Sequence, residues 1–129
     1  TSLVAFLPEP TLSDTGLPQQ WRLFRWLKDL QGTAPPVVTA RDVLEDPPAT
    51  LRALCTALDV SYHESMLSWA PGPRETDGVW AKDWYDSVYD STGFQPYAPK
   101  DEPVPDRLQD LLDECQALYD KLYVHRLRP

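Results

Sequence analysis

Cysteine and histidine are scarce in this sequence, and neither is spaced as metal ligands are. The 129 residues contain two cysteines, Cys55 and Cys115, and two histidines, His63 and His125. There is no C-x-x-C pair, and neither histidine has a thiol or carboxylate at ligand spacing. Each cysteine falls on the apolar side of a predicted helix, where a free thiol acts as a small core residue. The sequence therefore predicts no disulfide framework and no metal, and it favours a reducing, cytoplasmic compartment.

Long apolar runs and basic residues are also in short supply. No stretch reaches the roughly 20 apolar residues that a membrane-spanning helix needs. Twelve lysines and arginines against 20 aspartates and glutamates give a formal net charge of −8. Because nucleic-acid binding depends on neutralising phosphates with basic side chains, this charge argues against a nucleic-acid partner. We expect neither a membrane nor a nucleic acid as partner, although a few basic residues can still form a local anion site.

Glycine is rare and proline is abundant. The chain has 5 glycines and 14 prolines, and the prolines lie mostly between the helical patterns, which predicts stiff connections. A chain of this length has room for one domain with a hydrophobic core. We therefore predict a single domain over residues 1–129.

Residues 37–58 contain a complete unit of secondary structure. Val37 and Val38 are β-branched and give way at once to polar residues, which predicts a short strand. Asp46 supplies a helix cap, and Pro47 supplies a proline at the first helical position. Apolar residues then recur at helical spacing: Leu51, Leu54, Cys55 and Leu58. The segment predicts a strand, a linker and an amphipathic helix.

Three further apolar patterns predict helices. They cover residues 17–31, 80–89 and 108–122, and the first has a polar cap at Asp14 or Thr15. The predicted fold is therefore mostly α-helical. Its core should include Trp21, Phe24, Leu54, Leu58, Leu111 and Leu118.

Short motifs along the chain resemble one known family. The order V-V-x-A-R-D from Val37 and L-C-x-A-L-D-V ending at Val60 is similar to a recurrent segment of the P-loop sulfotransferases. Residues 10–20 extend the match upstream. Further motifs follow in the order of a bacterial branch of that family: Glu64-Ser65-Met66-Leu67-Ser68-Trp69, Gly72-Pro73-Arg74, Asp77-Gly78-Val79-Trp80-Ala81-Lys82, Trp84-Tyr85 and Ser91-Thr92-Gly93-Phe94.

This resemblance implies an α/β fold of which the chain forms the mostly helical C-terminal portion. The only strand expected here is the short one at Val37 and Val38, with its pairing neighbours upstream. The family's phosphate-binding loop, G-x-P-R-S-G-[ST]-[ST], occurs nowhere in the sequence, and neither does G-x-x-x-x-G-K-[ST]. We therefore expect no catalytic residue and no activity from this chain alone. A missing N-terminal half or a partner protein would supply the loop.

The resemblance also implies a reaction. Sulfotransferases move a sulfuryl group from 3′-phosphoadenosine 5′-phosphosulfate to a hydroxyl or amine, here on a small-molecule acceptor. Two alternatives remain open. The chain could be a small helical interaction module without catalysis, or a non-catalytic nucleotide-binding relative of the family.

The candidate donor-binding residues come partly from residue chemistry and partly from the resemblance. A glycine just ahead of a helix lets backbone N–H groups face an anion, and a nearby arginine and lysine add charge-assisted donors. The family closes over its nucleotide with an R-K-G-x-x-G-x-W-K-like loop, which Arg74, Gly78, Trp80 and Lys82 approximate. Ser2 stands where the family has a serine that reaches the 3′-phosphate. The alternative interpretation is a simple glycine turn with both cations solvated.

Overall fold

The computed structural model describes residues 7–99 and 102–129, and its regular structure is helical. Two isolated bridges, Val37 with Arg126 and Ser68 with Gly93, are the only β-structure in these ranges. The predicted mostly α-helical class is confirmed. None of the helices in these ranges is long and apolar enough to cross a membrane. The helices are α1 (Leu17–Gln31), α2 (Ala40–Glu45), α3 (Pro47–Ala57), α4 (Ala81–Trp84), α5 (Asp86–Tyr89) and α6 (Gln109–Tyr123), with 3-10 turns at Leu12–Thr15, Glu64–Leu67 and Asp106–Leu108.

The chain forms two compact units, and the first is assembled from two separate parts. The first unit joins the described residues up to Thr39 with those from Ala98 to Leu127. The second unit comprises Ala40–Tyr97 with Arg128–Pro129. Helices α1 and α6 therefore belong to the first unit, and α2 to α5 belong to the second. Two compact units can still fold together as one domain, so the single domain over residues 1–129 stays a prediction.

Helix α1 has the boundaries that the sequence predicted, with a different cap. Gly16, at φ 75°, occupies the N-cap position, and the Thr15 hydroxyl accepts the N–H of Leu17 at 3.3 Å. Gly32, at φ 72°, ends the helix and donates its N–H to the Lys28 carbonyl at 2.9 Å. Glycine adopts this left-handed geometry without the steric cost that other residues meet. Helix α1 is therefore bounded by a glycine at each end.

Asp14 is part of a capping box in the preceding 3-10 turn, whose N-cap residue is Thr11, and does not cap α1. Its Oδ2 accepts the backbone N–H of Thr11 at 2.8 Å and the Thr11 hydroxyl at 2.6 Å. Both hydrogen bonds favour the charged carboxylate, the hydroxyl bond more strongly, so they lower the pKa of Asp14 below its ordinary value of 3.8. Folding therefore stabilises the ionised form of this side chain.

We expect Asp14→Asn to lower the thermal unfolding midpoint at neutral pH. A pKa lowered by folding contributes stability above the unfolded pKa, and that contribution is lost as the pH falls through the folded pKa. The difference between wild type and variant should therefore shrink in acid. Unfolding scans between about pH 7 and pH 2, with Asp29→Asn as a control on an exposed aspartate of α1, measure it. A difference that persists unchanged in acid would contradict this role.

The predicted strand at Val37 and Val38 is reduced to a single bridging residue. Val37 pairs in parallel with Arg126, and the N–H of Leu127 donates to the Val37 carbonyl at 2.8 Å. Among the described residues this pairing partner is downstream, and the upstream neighbours expected from the sequence stay a prediction. Two apolar residues cannot form a stable strand without a neighbour, and the chain that leaves α6 supplies one at Val37.

Phe24 forms the centre of the first unit, where α1 packs against α6. It is 5% exposed, and its ring stacks on Trp21 at 5.6 Å between centroids and lies 4.7 Å from His125. Leu108, at the start of α6, is 8% exposed. Of the other predicted core residues in this unit, Trp21, Leu111 and Leu118 are half-buried.

Helix α2 lies in the segment that was predicted to be a linker, and a hydrogen bond joins it to α3. Asp46 caps α3 as predicted, with Oδ1 accepting the N–H of Ala49 at 3.1 Å, and Pro47 is the first helical residue. Thr50 is 1% exposed, and its hydroxyl donates to the Asp42 carbonyl of α2 at 2.9 Å. A buried hydroxyl needs such a partner, so this bond joins the two helices.

The apolar side of α3 is buried over a shorter length than predicted. Cys55 is buried, with its Sγ 3.9 Å from the Met66 sulfur, and Leu54 is half-buried. The prediction that Leu58 is buried is wrong, since that residue is 52% exposed. Leu58 follows the last residue of α3 at the C-cap, where the chain turns away from the helical stripe.

Candidate functional site

The candidate site is the segment from Gly72 to Lys82 together with α4 and α5. The helix predicted over residues 80–89 is broken at Tyr85, whose φ of −102° and ψ of 6° separate α4 from α5. Each helix is a single turn. Because the helix dipole sums over aligned peptides, a single turn presents much less charge to an anion than the predicted ten-residue helix would. Side chains must therefore contribute most of the attraction at this site.

Arg74 begins a tight turn that Asp77 closes. The N–H of Arg74 donates to Asp77 Oδ2 at 2.7 Å, and the N–H of Asp77 donates to the Arg74 carbonyl at 3.0 Å. The N–H of Gly72, just before the turn, donates to the carbonyl of Tyr89 at 2.8 Å. The turn is thus attached to α5.

Arg74 is exposed, and its Nη2 donates to the carbonyl of Ala70 at 3.0 Å. The ion pairs of Arg41 with Glu45 and of Arg52 with Glu64 do not involve it, and no ion pair of Arg74 is found within residues 7–99 and 102–129. A carbonyl is neutral, so the hydrogen bond to Ala70 is not an ion pair. The guanidinium has further N–H donors for a ligand.

The other predicted site residues lie in the same exposed segment. The Gly78 carbonyl accepts the N–H of Ala81 at 3.0 Å. A Cβ added at Gly78 would meet no atom within 4 Å, and its φ is not positive, so nothing in the described chain requires glycine there. Trp80 is 69% exposed, and Lys82 is exposed too. Ser2 lies outside the described residues.

Two of the sequence motifs, Glu64–Trp69 and Ser91–Phe94, contact each other. The N–H of Trp69 donates to the Thr92 carbonyl at 3.0 Å, and its indole Nε1 donates to the Ser91 hydroxyl at 2.9 Å. The Trp69 ring meets Phe94 edge-on, with centroids 5.4 Å apart. At Gly93 a Cβ would come within 3.1 Å of the Leu67 carbonyl oxygen, so this close approach of two backbones favours glycine. These contacts join the two motifs to each other.

Tyr89 was not among the predicted site residues, yet its backbone carbonyl accepts the N–H of Gly72 at 2.8 Å, and the Asp77 carboxylate affects the pKa of its hydroxyl. Burial of the hydroxyl raises the pKa of Tyr89 above its ordinary value of 10.0, and the charge of Asp77 raises it further. At neutral pH the hydroxyl therefore keeps its proton. A tyrosine so far along the chain from Gly72 carries no local signal for the contact that its carbonyl makes.

No metal-binding arrangement of side chains is found among the described residues. Histidine, cysteine, aspartate and glutamate do not come together there in a group that could hold a metal ion. The chemistry that the segment offers is therefore that of exposed cations, backbone N–H groups and an aromatic face.

Known proteins provide an independent comparison. A family model described as Sulfotransferase domain matches residues 13–125. Branched-chain-amino-acid aminotransferase-like protein 1 of Arabidopsis thaliana is 40% identical over 118 residues, which cover 90% of this chain and 21% of that protein. The corresponding protein 2 is 40% identical over 94 residues, covering 73% of this chain and 17% of that protein. The chain thus spans about a fifth of the length of these relatives. No solved structure matches the chain significantly.

Proposed function

Because the chain belongs to the sulfotransferase domain family, we propose that it forms the part of a sulfotransferase that covers the sulfuryl donor. The proposed donor is 3′-phosphoadenosine 5′-phosphosulfate, and the proposed acceptor is the hydroxyl or amine of a small molecule. The observation that carries this proposal is the exposed Arg74, whose guanidinium has no ion pair among the described residues. That loop lies within the region that matches the family model.

The loop residues suit the groups that such a donor presents. Arg74 and Lys82 would give charge-assisted hydrogen bonds to its phosphate oxygens. Gly78 leaves room for close approach, since no described atom crowds it. Trp80 offers an exposed indole face against which an adenine ring can stack. The net charge of −8 does not oppose this, because contacts within a site are local.

The remaining parts of the reaction are proposed to come from outside this chain. The phosphate-binding loop and the base for the acceptor would belong to a preceding segment or a partner protein, since neither loop motif occurs in the sequence. Ser2 stays a prediction for the same donor site. A cytoplasmic location is proposed because Cys55 and Cys115 are free thiols. The aminotransferase activity in the relatives' names is not proposed here, since the match covers only about a fifth of each.

Loss of either cation should weaken nucleotide binding. A hydrogen bond to a charged group contributes about 1.5–3 kcal/mol, so Arg74→Ala and Lys82→Ala should each weaken affinity about tenfold or more in the complete protein. Calorimetric titration with 3′-phosphoadenosine 5′-phosphate measures this change. That nucleotide retains both phosphate positions and lacks the reactive sulfuryl group.

Arg52→Ala provides the matched control for these titrations. Arg52 lies in the same unit as Arg74, but its charge is already paired with Glu64. Its replacement should leave nucleotide affinity unchanged. If Arg74→Ala and Lys82→Ala also bind the nucleotide as tightly as wild type, the donor site is not here and the segment is a structural turn.

A further inference from the structure

Helix α1 carries an apolar stripe that remains exposed in the described part of the chain. Leu23, Trp26 and Leu30 are each more than half exposed, and their spacing of three and four residues aligns them along one side of the helix. Phe24 lies on another side, where α1 packs against α6. Single exposed apolar residues are common on protein surfaces, but a contiguous row of large ones marks a surface that another polypeptide covers. This side of α1 is therefore a candidate interface.

Two opposite charges flank the stripe on the same edge. Arg22 immediately precedes Leu23, and Asp29 immediately precedes Leu30, so the helical period places both on one edge of the stripe, about two turns apart. Both side chains are exposed. Among the described residues, neither of them forms an ion pair. The edge therefore carries one unpaired cation and one unpaired anion.

The order of these residues is self-complementary when two copies of α1 run antiparallel. In a two-fold antiparallel pair, each end of one helix lies beside the opposite end of the other, and the same edge of both helices meets across the contact. Leu23 then lies near Leu30 of the second copy, with the two Trp26 side chains at the centre. Arg22 of each copy lies near Asp29 of the other, which gives two equivalent ion pairs. A parallel pair would instead leave Arg22 and Asp29 about two turns apart.

We propose that the exposed stripe of α1 binds a second copy of the chain, in an antiparallel two-fold dimer in which Arg22 and Asp29 pair between copies. A two-fold interface must complement itself, and here one edge of one helix supplies both halves of each ion pair. The other charges of α1, Arg25 and Lys28, lie farther round the helix from the stripe and do not oppose this contact. The inference does not depend on the proposed function, since the candidate donor site lies in the second unit and α1 lies in the first.

Sedimentation equilibrium of the 129-residue chain measures the association. One helix from each copy makes a small interface that associates weakly, so protein concentrations should span about 5 to 500 µM. We expect a monomer–dimer equilibrium in wild type and association about tenfold weaker or more in Trp26→Ala. Trp84→Ala is the control, because it removes a similarly exposed tryptophan from the second unit, and it should associate as wild type does. A chain that stays monomeric over this range overturns the proposal, and so does equal association of wild type and Trp26→Ala.

Exchanging the two charges tests the antiparallel arrangement. Arg22→Asp or Asp29→Arg alone brings like charges together between the copies, so each should weaken association about threefold or more. The double variant restores opposite charges in the reverse order and should dimerise within about twofold of wild type. Arg25→Asp makes the same charge change away from the stripe and should leave association unchanged. A double variant that associates no better than the single ones overturns the proposed pairing.

Thermal unfolding of dilute samples checks that each of these variants is folded. Arg22, Arg25, Trp26 and Asp29 are all exposed, and surface substitutions change stability little. The unfolding midpoints should therefore stay close to that of wild type, and a loss of association can then be assigned to the interface.

Discussion

Phe24→Ala is expected to lower the free energy of unfolding by about 3–5 kcal/mol, as removal of a buried phenylalanine usually does. Phe24 is 5% exposed, and its ring contacts both Trp21 and His125. It also lines an apolar groove of about 270 Å³ between α1, the segment 35–38 and Leu122 of α6. Removing the ring enlarges that void, so its neighbours lose van der Waals partners that no other side chain replaces.

Urea unfolding of wild type and Phe24→Ala measures this loss. Leu23→Ala is the control, since Leu23 is next along the same helix but 54% exposed, and its replacement should cost less than about 1 kcal/mol. Amide exchange should show the added opening in the first unit, which contains Phe24. Similar losses for the two variants would mean that Phe24 is not the centre of this packing.

Leu108→Ala is expected to cost about 2–5 kcal/mol, the range for truncating a buried leucine. Leu108 is 8% exposed and lies in the 3-10 turn that leads into α6, where its N–H donates to the Pro105 carbonyl at 2.8 Å. It therefore fixes the start of α6 both by burial and by its place in the turn. The substitution leaves the backbone hydrogen bond in place and removes only the buried atoms.

Leu112→Ala supplies the comparison for Leu108→Ala in the same unfolding experiment. Leu112 is the same residue type one turn further along α6, and it is 39% exposed. Its truncation should cost roughly half as much or less, because the free energy lost follows the apolar area removed from burial. Equal costs at the two positions would show that the start of α6 is not anchored by Leu108.

Some elements were predictable because their signals are local. The boundaries of α1 follow from its apolar spacing and from Gly32 beyond its end, and the start of α3 follows from Asp46 and Pro47. Capping acts over two or three residues, so a sequence records it directly. The candidate site residues Arg74 and Lys82 come from one short segment of the sequence, and their role stays a prediction.

Other features depend on contacts between distant residues, which local patterns do not contain. The aromatic spacing over residues 80–89 predicts one helix, yet the chain breaks at Tyr85, where Tyr89 bonds back to Gly72. A helix of six residues such as α2 is too short to show a period and depends on its tertiary partners.

The first unit consists of two separate stretches of the chain, so its parts can contact each other only after the second stretch has been synthesised. Of the helices in the described part of the chain, α1 is translated before the others, α2 to α5 follow, and α6 comes last. The side of α1 that carries Phe24 therefore has no packing partner until α6 has left the ribosome. The second unit has no such delay, because Ala40–Tyr97 forms nearly all of it as one continuous stretch. It follows that the nascent chain exposes an apolar helix to chaperones for as long as translation of the second unit takes.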